Sequence, residues 1–108
     1  ELYSSELIQA VLNILKNAQD NFKEKEIKDA KIAITTENRT ITICDNGGGI
    51  PKNMLNKIFD PYFSTKGKNG TGLGLHMSKV VIEDHHGGKL SVVNKDDGVC
   101  FIIELGII

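Results

Sequence analysis

The chain has 108 residues, 40% of them hydrophobic and 25% charged, with a formal net charge of -1; this describes one globular domain, long enough to bury a core without disulfide or metal support. Such balanced charge excludes the basic groove of a nucleic-acid binder and gives no attraction to an anionic membrane. No apolar run approaches the roughly 20 residues of a bilayer span, and no signal peptide is visible.

Cys44 and Cys100 are too few for a disulfide framework and lack metal-ligand spacing, so they read as buried free thiols of a cytosolic protein. The chain starts at Glu1 with residues that already look helical, as expected of a fragment of something longer. Seven of its eleven glycines fall between Gly47 and Gly74, concentrated in two loops.

Residues 5–23 carry Leu7, Val11, Leu15, Ala18 and Phe22 at helical spacing, with Ile8, Leu12 and Ile14 widening the stripe. Ser4 or Ser5 is placed to cap that helix. "KEKEIKD" is a solvated connection. "AKIAITTE" alternates Ile32 and Ile34 with small or polar residues, as a half-buried strand does, and "NRTITICD" repeats the pattern with Ile41 and Ile43. Asn38-Arg39 is the turn of the resulting hairpin. "NGGGIPKN" is a glycine loop, "MLNKIF" one short helical turn, and "DPYFSTKGKNGTG" irregular. "LGLHMSKVVIEDH" returns to helical periodicity through Leu73, Met77, Val80 and Val81. "HGGKLSVVN" and "GVCFIIEL" are the last two strands, joined by the turn at residues 95–98. Helix, two strands, loops, helix and two strands make an α+β fold.

Four constellations carry chemistry. In the first helix Gln9, Asn13 and Asn17 fall within about 80° of one another. Asparagine costs roughly 0.6 kcal/mol against alanine at a helix interior. Either the face is simply solvated, or the amides have a use that Glu and Lys would not serve: an amide oxygen is a neutral ligand for a hard cation such as Mg²⁺. In "CDNGGGI", Asp45 shares parity with Ile41 and Ile43 and so points to the core side, where a carboxylate needs donors. It either caps its own glycine turn or accepts a hydrogen bond from an exocyclic amine such as adenine offers, with Gly47 and Gly49 admitting a flat base. "GTGLGL" opens a helix and suits phosphate at its N-terminus, or is a hinge; it lacks the G-K-[ST] of a Walker loop, and its spacing fails as a dinucleotide fingerprint at Met77. "FDPYFSTK" clusters Phe59, Tyr62 and Phe63 beside the glycine loops, either as a core patch or as a lid anchor. Lys66 at its end can reach phosphate as a point charge.

"QAVLNILKNAQD", "DNGGGIP", "FDPYFSTK" and "GTGLGL", in this order and spacing, resemble four motifs of the catalytic and ATP-binding domain of sensor histidine kinases. Their superfamily also holds gyrase, heat-shock chaperone and mismatch-repair ATPases. The resemblance covers nearly the whole chain. It implies a two-layer α/β sandwich (the Bergerat-type ATP-binding fold), with a mixed, mostly antiparallel sheet covered by helices on one face. It implies that Asn17 coordinates Mg²⁺, that Asn13 is its phosphate-side companion, and that Asp45 reads adenine, backed by Gly47, Gly49 and Ile50. Residues Phe59 to Lys66 resemble the motif anchoring a lid over ATP. Gly70, Thr71, Gly72, Leu73, Gly74 and Leu75 resemble the phosphate-contacting glycine motif. The implied partners are ATP, a histidine-bearing dimerisation domain of the parent kinase and a downstream response regulator. The expected place is the cytoplasm, with no nucleic-acid or membrane contact by this domain, although the parent protein can be membrane-attached.

The departures are specific. The lid between Lys66 and Gly70 is short, and Asp20 replaces a basic residue common in these kinases. The family usually has strand material before the first helix and this sequence begins almost at the helix, so an open sheet edge is expected. His76, His85 and His86 read as structural. Three rivals stay open: an ATPase of the same fold, an anti-sigma-type serine kinase, and a non-catalytic nucleotide-binding regulatory module. Hydrolytic relatives place a glutamate where this chain has Asn13, and an amide cannot take a proton from water.

Overall fold

In a computed structural model of the chain, residues 4–60, 74–85, 87–95 and 98–105 are described. Helix α1 spans Ser4–Lys25. Its buried line is Ala10, Ile14 and Ala18, at i, i+4 and i+8, flanked by Leu7, Val11 and Leu15 packed on the core. The apolar stripe is narrower than the sequence suggests. Ile8 and Leu12 are 60% and 50% exposed, because each lies about 160° around the helix from Ala10. The C-terminus closes as a Schellman motif: the Ile27 N–H donates to the Phe22 carbonyl at 3.0 Å and the Glu26 N–H to the Lys23 carbonyl at 3.3 Å. Glu26 takes the left-handed position usually given to glycine, with φ of 53°.

Strands β1 (Ile32–Glu37) and β2 (Thr40–Asp45) form the expected hairpin. Asn38 and Arg39 both have positive φ, at 50° and 65°, the backbone of a two-residue type I′ turn. A short helix α2 (Lys52–Leu55) follows the glycine loop. Helix α3 (Gly74–Val80) continues as a π-helical turn over Val81–His85. The last hairpin is β3 (Lys89–Lys95) and β4 (Gly98–Glu104). The four strands pair in the order β1-β2-β4-β3, every pair antiparallel. The result is the expected α+β sandwich, with helices over one face of the sheet.

Register explains the core. Ile34, Ile43, Phe101 and Val92 form one cross-strand row, and Thr36, Ile41, Ile103 and Leu90 the next on the same face. Ile43, Phe101, Ile103 and Leu90 are at most 2% exposed and join Ala10, Ile14, Ile58 and Ile82 in one cluster. Burying each such aliphatic or aromatic side chain is worth about 1.5–3 kcal/mol. The row stops at β1. All six of its residues are exposed, Ile34 by 51%, so β1 is not half-buried as its alternation suggests. Alternation reports which face a residue takes, and at this edge that face is not covered.

A second correction concerns the cysteines. The β2–β4 register sets Cys44 opposite Cys100 with Cα atoms 4.0 Å apart, and the two form a disulfide. They are not free thiols, and only Cys100 is buried. Without the register, a sequence separation of 56 gives no hint of the pairing.

Candidate nucleotide site

Asp45 ends β2 on the core face, as its parity requires, and is half-buried. Its Oδ1 accepts the Gly47 N–H at 2.9 Å, so the carboxylate does cap its own glycine turn. Burial pushes its pKa up, and this outweighs the N–H bonds from Gly47 and Val99 and the charge of Lys25. A carboxylate has about four acceptor positions, so these two bonds leave room for a further donor.

The glycine loop that follows is tethered from three directions. Asn46 donates to the Asp29 carbonyl at 2.9 Å and accepts the Lys31 N–H at 2.8 Å. From the last turns of α1, Asn21 and Lys25 both donate to the Gly47 carbonyl, at 2.8 and 3.2 Å. From β3, Asn94 accepts the Ile50 N–H and donates to the Ile50 carbonyl, both at 2.7 Å. The close approaches need glycine: a Cβ on Gly47 would lie 2.6 Å from the Asn21 amide nitrogen, and one on Gly49 2.9 Å from the Asn94 amide oxygen. Room for these amides, and not only for a flat base, therefore requires glycine at 47 and 49.

Asn13 and Asn17 are half-buried on α1. Gln9 donates to Asn13 Oδ1 at 3.3 Å, as expected of amides one turn apart. Asn17 stands one turn, about 6 Å along the axis, before Asn21, whose amide touches the glycine loop. Helix α3 meets α1 through Ser78, fully buried, whose hydroxyl lies 3.1 Å from both the Ala10 and Gly74 carbonyls. Gly74 and Leu75, at the start of α3, are thereby set beside the Ala10 turn of α1. Along α1, Asn13 and Asn17 thus lie between the Ala10 turn, which meets α3, and the Asn21 turn, which meets the glycine loop after Asp45. Lys66, Gly70, Thr71, Gly72 and Leu73 lie outside the described residues, as do Tyr62 and Phe63.

Phe59 is fixed to the core. It packs edge-on to Phe101 with centroids 6.2 Å apart, its ring lies 5.1 Å from Lys79 Nζ, and its carbonyl is 3.2 Å from His76 Nδ1. That contact fits the structural reading of His76. A separate groove of about 640 Å³ opens beyond α3, between Leu55, Phe59, Lys79, Glu83 and Val92. Of the described candidate ATP-binding residues it shares only Phe59, and His76 and Val80 also line it.

The family described as "Histidine kinase-, DNA gyrase B-, and HSP90-like ATPase" matches residues 3–107. The chain belongs to this family. Among similar proteins are the two-component sensor PprA of Pseudomonas aeruginosa, 32% identical over 94% of this chain and 12% of its own length, and the signal transduction histidine-protein kinase AtoS of Escherichia coli, 43% identical over 75% of this chain and 13% of its own. Sporulation kinase A of Bacillus subtilis is 37% identical over 77% of this chain and 14% of its own. The chain thus spans only about one-eighth of these relatives. Among solved structures, the nucleotide-free catalytic domain of histidine kinase ThkA is 38% identical with a TM-score of 0.75, over 90% of this chain and 64% of that one. The mycobacterial sensor histidine kinase MprB is 29% identical with a TM-score of 0.74, over 90% of this chain and 67% of that one.

Membership makes ATP the ligand class of this ATPase-family domain. The donor set also fits Mg²⁺. Mg²⁺ commonly keeps water and phosphate oxygens around few protein ligands. An amide on Asn17 suits that role. Sequence reasoning missed Asn21, Lys25, Asn46 and Asn94. Asn21 extends the Asn13, Asn17 spacing by one more turn, a signal that was present. Asn94 gave none, because its partner is 44 residues away.

Proposed function

We propose that the chain is the catalytic ATP-binding domain, over residues 1–108, of a two-component sensor histidine kinase. It binds Mg-ATP and passes the γ-phosphate to a histidine on a separate dimerisation domain, from which a response regulator is served. The position of Asn13 and Asn17 on α1, between the turn that meets α3 and the turn that meets the Asp45 loop, carries this reading, and the likeness to histidine kinase catalytic domains supports it. Asn17 holds Mg²⁺, which neutralises phosphate charge when bound, with Asn13 beside it. Asp45 accepts from the adenine amine, while Gly47, Gly49 and Ile50 line the base. Phe59 and Lys66 anchor and end the lid segment, and residues 70–75 meet the phosphates. Such catalysis is positioning and electrostatics, with little covalent work for the protein. The cytoplasm, where ATP and the regulator are found, is the proposed location; no helix among the described residues is long and apolar enough to cross a membrane.

An ATPase of the same family is the rival reading, and the absence of a carboxylate at Asn13 disfavours it. A γ-³²P-ATP assay decides between them. The isolated chain should bind ATP and release almost no phosphate, and label should move to the parent's histidine-bearing hairpin when that is added. Rapid phosphate release would favour the ATPase, and label retained on the chain's own histidines would show that the acceptor was misread.

A further inference from the structure

Asn94 belongs to the same cross-strand row as Asp45. Asn94 on β3 pairs with Val99 on β4, and Val99 pairs with Asp45 on β2. Two strand spacings, about 10 Å, separate Asp45 from Asn94 on one face of the sheet. The four residues 46–49 link Asp45 to Ile50, where Asn94 holds the chain. The Asn94 amide both accepts from and donates to the backbone of Ile50, at 2.7 Å each way. This imitates one pair of a β-ladder, with a side chain standing for the second strand. Only an amide does this. A carboxylate cannot donate to the Ile50 carbonyl, and an aliphatic isostere satisfies neither group.

We propose that Asn94, a residue outside the nucleotide-binding motifs, is a positioning residue for base recognition. It fixes the far end of the glycine loop so that the loop backbone and the Asp45 carboxylate present one rigid edge to the adenine. This rests on the reading of Asp45 given above. Three observations converge on it. The clamp is bidentate and sits directly across the row from Asp45. The opposite end of the loop is held independently by Asn21 and Lys25 on Gly47. Gly49 leaves the space that Asn94 fills. The clamp is solvent-exposed, so breaking it disturbs the loop far more than the fold. A loosened loop must be ordered again on binding, and that cost falls on the base, not on the phosphates.

The test separates base from phosphate. Calorimetric affinities for ATP and for inorganic tripolyphosphate are measured on the wild type and on Asn94→Asp, Asn94→Ala and Asp45→Asn, with melting curves as a fold control. Asn94→Asp and Asn94→Ala should weaken ATP binding about tenfold and leave tripolyphosphate within twofold, with melting temperatures close to wild type. Equal weakening toward both ligands, or unchanged ATP affinity, would each overturn the role of Asn94. If Asp45→Asn loses ATP binding while the Asn94 variants keep it, the clamp fails and the base site stands. If Asp45→Asn binds ATP as the wild type does, the base site fails and the clamp proposal falls with it.

Discussion

The hydroxyl of Ser78 lies 3.1 Å from the carbonyl of Ala10, sixty-eight residues earlier in the chain. It is also 3.1 Å from the Gly74 carbonyl within its own helix, and Ser78 is fully buried. A hydroxyl has one proton, so it donates to one carbonyl at a time, and it is the polar link between α3 and α1. The start of α3 and helix α1 are therefore tied by a buried hydrogen bond in addition to their apolar packing.

Removing the hydroxyl tests that link. Ser78→Ala should destabilise the domain by about 1–2 kcal/mol through the lost hydrogen bond. At about 4–8 °C per kcal/mol for a domain near this size, the drop in melting temperature is easily measured. Ser78→Val should cost more, because two extra carbons must enter a contact with no spare volume. A melting temperature unchanged in Ser78→Ala would mean that the bond contributes nothing to holding α3.

How far the sequence speaks depends on the range of the interaction. Period 3.6 in α1 and period 2 in β2 are local, and both elements formed where expected. Asn38-Arg39 was legible because its positive φ is demanded by a two-residue hairpin. The coverage of β1 was not legible. Ile32 and Ile34 alternate as buried residues do, yet what lies over them is decided by elements far away in sequence. The same holds for Cys44 with Cys100, and for Asn94 with Ile50. In the candidate site, the amides on α1 stood out because they oppose helix propensity. Asn94, on an edge strand, opposed nothing and so stayed silent.

Asp45 gives a pH prediction. Its pKa is raised by burial, which exceeds the help from the Gly47 and Val99 N–H groups and Lys25. A carboxyl with a raised folded-state pKa contributes stability that is fully present below its unfolded pKa and lost as pH rises through the folded value. At neutral pH the ionised side chain is thus a cost to the fold. Asp45→Asn should be at least as stable as wild type at pH 7, and that advantage should vanish near pH 4. It should still weaken ATP binding tenfold or more, because an amide donor would then face the adenine amine. Conversely, adenine binding favours the ionised form, so nucleotide binding at mildly acidic pH should release a proton. Calorimetry in two buffers of different ionisation enthalpy would detect it.

Glu26 closes α1 from a left-handed conformation, at φ of 53°. A side chain there costs about 1 kcal/mol relative to glycine. Glu26→Gly should therefore stabilise the domain by about 0.5–1 kcal/mol, despite the greater freedom of glycine in the unfolded chain. The Schellman bonds position Phe22 and the neighbouring Asn21 and Lys25, so the variant should retain ATP affinity. A destabilised Glu26→Gly would show that the Glu26 side chain contributes an interaction of its own.

The disulfide predicts the chemistry of the purified chain. Alkylation of the denatured, unreduced protein should label neither Cys44 nor Cys100, and both should label after reduction, as intact mass will report. In the chain-entropy account, a bridge across 56 residues restrains the unfolded state by about 4 kcal/mol. Reduction should then lower the melting temperature clearly. Two labels before reduction would restore the reading of free thiols.

Asn17 carries the last prediction. Its amide stands one turn before Asn21, and Asn21 touches the glycine loop at 2.8 Å. A Mg²⁺ ion held between Asn17 and the phosphates couples metal and nucleotide: each should tighten the other by the same factor, since linkage is reciprocal. Asn17→Ala removes the protein's half of that bridge. Without Mg²⁺ it should bind ATP nearly as the wild type does. With saturating Mg²⁺ the wild type should gain about tenfold or more in affinity, and the variant little. Asn17→Asp is the informative counterpart. A carboxylate binds the metal more strongly but repels the phosphates, so its ATP affinity should depend on Mg²⁺ more steeply than the wild type's and be lowest without the metal. An Asn17→Ala chain that keeps the full Mg²⁺ response would remove Asn17 from the site and leave its position beside Asn13 to helix packing alone.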